Sequence, residues 1–139
     1  MSVETKLVTG VDFVCVPTKD IAAAMDFYEN VLGLEPSKRW QRGEEEPMGA
    51  EFEPGDVTIA LLNTGKLGIE FQASKVPVAY QVDDVEAARA ELESRGVTFV
   101  ADTLDSGVCH MAHFTDPDGN VLMLHNRYAP AGARPGGDA

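Results

Sequence analysis

Apolar positions along the chain switch between two periods, and the switches mark out its elements. Residues 11–16 (VDFVCV) are rich in β-branched and aromatic side chains and stop at Pro17, which predicts a strand. After Asp20, Ile21, Ala24, Met25, Tyr28 and Leu32 recur at helical spacing. This predicts a helix over 21–32 with Asp20 as its N-cap and Gly33 just beyond its end. Residues 35–42, carrying Trp40, read as a strand, and 43–48, with Glu44, Glu45 and Glu46 in a row, as a solvated loop. Residues 49–53 and 57–63 form a predicted hairpin across Glu53-Pro54-Gly55-Asp56.

A connector over 66–74, with some strand character in GIEF, separates this set from a second one. Residues 78–82 are a predicted strand, Asp83 or Asp84 a cap, and 85–95 a helix turning Val85, Ala88 and Leu92 inward. Gly96 ends that helix and 97–100 is a further strand. The stretch 107–128 reads as a closing hairpin about Asp116-Pro117-Asp118-Gly119. Proline presets φ at the second turn position and glycine accepts a positive φ. All 3 histidines, His110, His113 and His125, lie on its arms.

The order strand, helix, strand, strand, strand therefore occurs twice, with cap and terminal glycine repeating at nearly equal spacing. We divide the chain into an extension (1–10), a first βαβββ module (11–64), a connector (65–76) and a second module (77–128). The tail, 129–139, has nothing to bury and is expected to be disordered.

Composition narrows the class. The 139 residues suit one compact domain, and 44% hydrophobic with 24% charged residues is ordinary for a globular chain. The net charge of −12 argues against nucleic-acid or anionic-membrane partners, which need a basic footprint. No apolar run approaches the ~20 residues of a membrane span. The opening residues lack the apolar core of a secretory signal. Cys15 and Cys109 form neither a metal-ligand spacing nor a disulfide framework, and each falls in a predicted strand as a small hydrophobe. A cytoplasmic protein fits these features.

The segments VPTKDIAAAMDFYENVLGL, YQVDDVEAARAELESRGV and HFTDPDGNVLML, in this order between residues 10 and 128, resemble the vicinal oxygen chelate superfamily. That family includes glyoxalase I, bleomycin-resistance proteins and extradiol dioxygenases. The resemblance implies an α+β fold in which two tandem βαβββ modules form a cup-shaped, half-open mixed β-barrel with helices outside. The cup would hold a small molecule, and the protein would be a homodimer, in some members with modules exchanged between chains.

Metal-dependent members hold a divalent ion in the cup with His and Glu side chains. Carried over one by one, their positions fall on Phe13, Ala60, Pro77 (Val78 with a slip of one residue) and Met123. None is a ligand for a hard or borderline dication, so no cofactor is expected. The fallback is a divalent metal held by Glu70, His110 and His125. Pairing the closing hairpin about its turn sets His110 near His125, while His113 has the opposite parity.

Strand alternation turns Phe13, Cys15, Ala60, Leu62, Ala79, Gln81, Val121, Met123 and His125 toward the cup, with Trp40 beside them. We take Phe13, Cys15, Trp40, Ala60, Leu62, Gln81, His110, Met123 and His125 as candidate ligand contacts. An apolar wall with a few convergent polar groups is what small-ligand sites look like. No catalytic residue is assigned, although Tyr80, Glu70 and Cys109 are available for chemistry. The chain thus reads as a glyoxalase/bleomycin-resistance-like protein binding a small, mostly apolar or aromatic molecule without a metal. Two alternatives stand beside that reading. One is a metal-dependent lyase, isomerase or dioxygenase with a non-standard His/Glu site. The other is a non-catalytic interaction module that docks through the acidic surface.

Overall fold

The structure is a computed structural model that describes residues 7–130. Parts of the expected extension and tail, 1–6 and 131–139, lie outside the described residues. The first module runs β1 (Phe13–Thr18), α1 (Ile21–Asp26), β2 (Glu35–Trp40), β3 (Gly49–Glu53) and β4 (Thr58–Asn63). A single helical turn, α2 (Thr64–Leu67), leads into the connector. The second module repeats the order: β5 (Val78–Gln81), α3 (Val85–Ser94), β6 (Leu104–Asp105), β7 (Cys109–Thr115) and β8 (Val121–Arg127).

Each module is one four-stranded mixed sheet, ordered β1-β4-β3-β2 and β5-β8-β7-β6. In both, the first strand runs parallel to the last and the remaining pairs are antiparallel. The sheets do not close into a barrel; the arrangement is the half-open cup architecture with two tandem modules. Among the described residues no helix is long and apolar enough to cross a membrane.

Local chemistry explains the repeated start of each module. The Asp20 carboxylate accepts the Ala23 backbone N–H (3.1 Å) and Asp84 does the same for Ala87 (3.0 Å), each satisfying a donor at a helix start. Gly33 and Gly96 take the positive φ that lets the chain leave each helix (78° and 91°). The first helix widens over Phe27–Val31 into a π-turn, in which the Leu32 N–H reaches back to the Phe27 carbonyl. β1 continues through Pro17 instead of stopping before it. It is an edge strand paired only with β4, so a missing N–H on its free side costs no ladder bond.

One expected strand is corrected, and the strand character read in the connector is not realised. The stretch 97–100 makes only an isolated bridge, Phe99 with Phe114, and the module's second strand is the two-residue β6 further on. Helix α3 holds the intervening chain instead. The Arg89 guanidinium lies 4.7 Å from the Phe99 ring centroid and donates to the Thr103 hydroxyl. The GIEF stretch forms no strand, because after Gly68 (φ 70°) it has no partner to pair with.

The apolar faces of both sheets and their helices form one core, whose most deeply buried large side chains include Tyr28, Phe52, Phe114, Ile21, Leu61 and Leu122. Fully burying one such apolar side chain is worth about 1.5–3 kcal/mol. Polar bonds then fix one module on the other. The Tyr28 hydroxyl donates to Asp116 (2.7 Å), Asn120 Nδ2 to the Pro17 carbonyl (2.7 Å), and Arg95 Nη1 to the Val31 carbonyl (2.7 Å). The predicted turn is thus also a clamp. Buried Asp116 accepts the backbone N–H groups of Asp118 and Asn120 on one oxygen, and Tyr28 and Asn120 Nδ2 on the other.

Candidate ligand-binding site

The register of each sheet decides which side chains share a face. In the first sheet Cys15 stands opposite Ala60, Ala60 opposite Glu51, Gly49 opposite Leu62, and Trp40 opposite Gly49. Directly opposed residues share a face and alternate residues along a strand share it too. Phe13, Cys15, Trp40, Glu51, Ala60 and Leu62 therefore lie on one side of the sheet, while Val16, Ala50, Phe52, Ile59 and Leu61 lie on the buried side under α1.

On this open face the two aromatics form a platform. Phe13, 40% exposed, meets Trp40 edge-to-face at 5.8 Å between ring centroids. Trp40 Nε1 donates to a Glu51 carboxylate oxygen at 2.6 Å, which fixes the indole over β3. A Cβ on Gly49 would come within 2.6 Å of the Leu61 carbonyl oxygen and 2.8 Å of Trp40 Cε3, so the indole lies there only because residue 49 has no side chain. Neither Glu51 nor Gly49 was singled out in the sequence; a glycine opening a strand beside the lone tryptophan was the available signal. Ala60 is fully buried at the floor of the face. Cys15 is exposed as a residue, yet neighbouring groups dry its sulfur enough to push the thiol pKa above its ordinary value. It is therefore a protonated, weakly nucleophilic group near neutral pH.

In the second sheet Ala79 stands opposite Met123 and Gln81 opposite His125. The closing hairpin pairs Met111 with His125, His113 with Met123, and His110 with Asn126. The open face of this module is thus Ala79, Gln81, Met111, His113, Met123 and His125.

The expected His110–His125 pair is incorrect: His110 points to the opposite side and His113 joins His125. Gly119 (φ 88°) adds one residue to the turn, since its N–H bonds the Asp116 carbonyl while the Asp116 N–H bonds the Asn120 carbonyl. One residue of shift flips every side chain of the arm. His110 instead lies 3.4 Å from Asp105 and 4.8 Å between centroids from the Tyr128 ring. Asp105 is held below its ordinary pKa, first by the Gly107 N–H and then by the Tyr128 hydroxyl, with smaller help from His110.

The donor set for a metal does not fit. The family positions carry an aromatic ring, a methyl group, a proline ring and a thioether, and Val78 stands opposite Leu122 on the buried side. Glu70 is exposed on the connector, and among the described residues no group of three His, Cys, Asp or Glu side chains could hold a metal ion. The trio Glu70, His110 and His125 is therefore not assembled.

A cavity of about 640 Å³ lies at the seam between the modules, bordered by Ala79 and Gln81 of the second open face and otherwise by residues off both faces. Its walls include Val14, Leu34, Ile59, Tyr80, Leu92 and Phe114, and among the predicted contacts only Gln81 borders it.

Residues 10–124 match the family described as the Glyoxalase/Bleomycin resistance protein/Dioxygenase superfamily. No curated protein matches the chain. Among solved structures, TnmS3, an antibiotic binding protein from Streptomyces sp. CB03234, is 25% identical, with 86% of this chain and 97% of that one covered and a TM-score of 0.70. A superfamily member from Sphaerobacter thermophilus is 23% identical (85% and 97% covered, TM-score 0.73). Lactoylglutathione lyase from Agrobacterium tumefaciens is 16% identical (86% and 94% covered, TM-score 0.69). The last two likenesses show a shared fold alone.

Proposed function

The chain belongs to the Glyoxalase/Bleomycin resistance protein/Dioxygenase superfamily, and from that premise we propose that it binds a small, mostly apolar or aromatic molecule without a metal. The observation that carries the reading is the Phe13–Trp40 platform, held by Glu51 on a sheet face that no helix covers. Two rings held together on an open face present an apolar surface on which an aromatic ligand can pack. A planar ring would stack on the platform, and His113, His125 and Gln81 on the second open face would supply hydrogen bonds. The donor-free residues at the family's ligand positions favour binding over ion-assisted isomerisation or oxygenation. The antibiotic-binding neighbour at 25% identity supports the same direction, whereas the lyase at 16% carries the fold only.

Each open face supplies one wall, so the proposed working form is a homodimer in which a second copy closes each cup. A thermal-shift screen of aromatic metabolites and antibiotics tests the proposal. Ligands that raise the melting temperature of the wild type are expected, with Trp40→Ala weakening them about tenfold, the loss of one aromatic stack. No stabilising compound at high excess would count against it.

A further inference from the structure

The seam cavity touches the open faces only at Ala79 and Gln81. Val14, which borders it, alternates with Phe13 and Cys15 and so points to the other side of β1. The first module contributes Leu32, Leu34, Val57 and Ile59, and the second contributes Val78, Tyr80, Phe114, Leu124 and the α3 residues Ala88 and Leu92. We propose that this seam is a second small-molecule site, taking a neutral and mostly apolar molecule apart from the Phe13–Trp40 platform.

Size, packing and charge carry the inference. The volume of about 640 Å³ falls within the roughly 300–1,000 Å³ of small-molecule pockets. Its floor is the core itself, since Ile59, Leu92, Phe114 and Leu124 are buried members of the shared apolar cluster. Such a floor is stiff and holds water poorly, so an apolar ligand gains by displacing it. The one guanidinium on the wall, Arg95, is already bonded to Glu91 (3.0 Å) and to the Val31 carbonyl (2.7 Å), and Asp56 adds another carboxylate. No unopposed positive charge is left there for a carboxylate or phosphate, so the ligand is not an anion. A molecule touching both walls also binds only the docked arrangement of the modules, and therefore stabilises it.

The test titrates the full chain with N-phenyl-1-naphthylamine, a neutral fluorescent probe, over a range of protein concentrations. Ala88→Phe fills the cavity from α3. Val57→Asp puts a charge at its mouth on a side chain 42% exposed, so that variant keeps its fold even if the first does not. The expected result is saturable binding that either variant weakens by about tenfold or more and that Trp40→Ala changes by less than about twofold. Four results overturn the proposal. They are no saturable binding, binding kept in both seam variants, equal loss in all three variants, and binding that appears only as a dimer dissociates on dilution. The third points to a shared site and the last to a second copy filling the seam.

Discussion

Trp40 owes its place to a residue that has no side chain. A methyl group on residue 49 would lie against both the Leu61 carbonyl and the indole, neither of which can recede without disturbing the β3–β4 ladder or the platform. Gly49→Ala is therefore expected to cost roughly 1–3 kcal/mol, as overpacking does, and to release the indole from Glu51. Urea denaturation reads the first effect and a red shift of tryptophan emission the second. The aromatic candidates themselves were legible in the sequence, because strand parity is local. Their arrangement was not. Glu51 reaches Trp40 only through the β2–β3 register, and that register contains a shift between Pro36 and Lys38 which no local pattern announces.

At the scale of the element, the helices were the most readable parts. Asp20 and Asp84 cap them, and Gly33 and Gly96 end them, by interactions confined to a few neighbouring residues. The closing hairpin was read correctly as an element and wrongly in register. Its identity rests on alternation, whereas its register rests on the backbone conformation of a single residue, Gly119. That residue has room for a methyl group, its nearest neighbour being Ala73 Cβ at 3.8 Å, so a substitution there strains only the backbone. Gly119→Ala is expected to destabilise the fold by about 1–2 kcal/mol. Gly119→Asn is expected to cost less, since asparagine tolerates the left-handed region. Equal losses from the two, measured by chemical denaturation, would mean that positive φ is not what the turn requires. The missed displacement of the strand expected at 97–100 has a similar origin: contacts from α3 outbid β propensity.

For the whole molecule, the tandem repeat was visible in the sequence, but the docking of one repeat on the other was not. Docking is built from contacts between residues far apart in the chain, chiefly Tyr28 with Asp116 and Asn120 with Pro17. The seam cavity is a product of that docking and left no sequence signal. Tyr28→Phe removes a buried bond to a carboxylate and is expected to cost about 1–3 kcal/mol. The hydroxyl of Tyr28 is pushed far above its ordinary pKa of 10.0, first by burial and then by the charge of Asp116. Its stabilisation is thus fully present below the ordinary value and is lost as pH rises above it, because the unfolded chain ionises first. The wild type should lose stability above about pH 10 more steeply than Tyr28→Phe, in denaturation curves taken across that range.

Binding without a metal is the central claim, and the protein's single tryptophan lies on the face where it is made. The most direct test is a titration of chelator-stripped protein with the strongest compound from the thermal-shift screen, followed by Trp40 fluorescence and repeated after adding Zn²⁺ or Mn²⁺. A saturable change in emission with the same affinity in all three samples is the predicted result. A change that arises only once metal is restored would contradict the account.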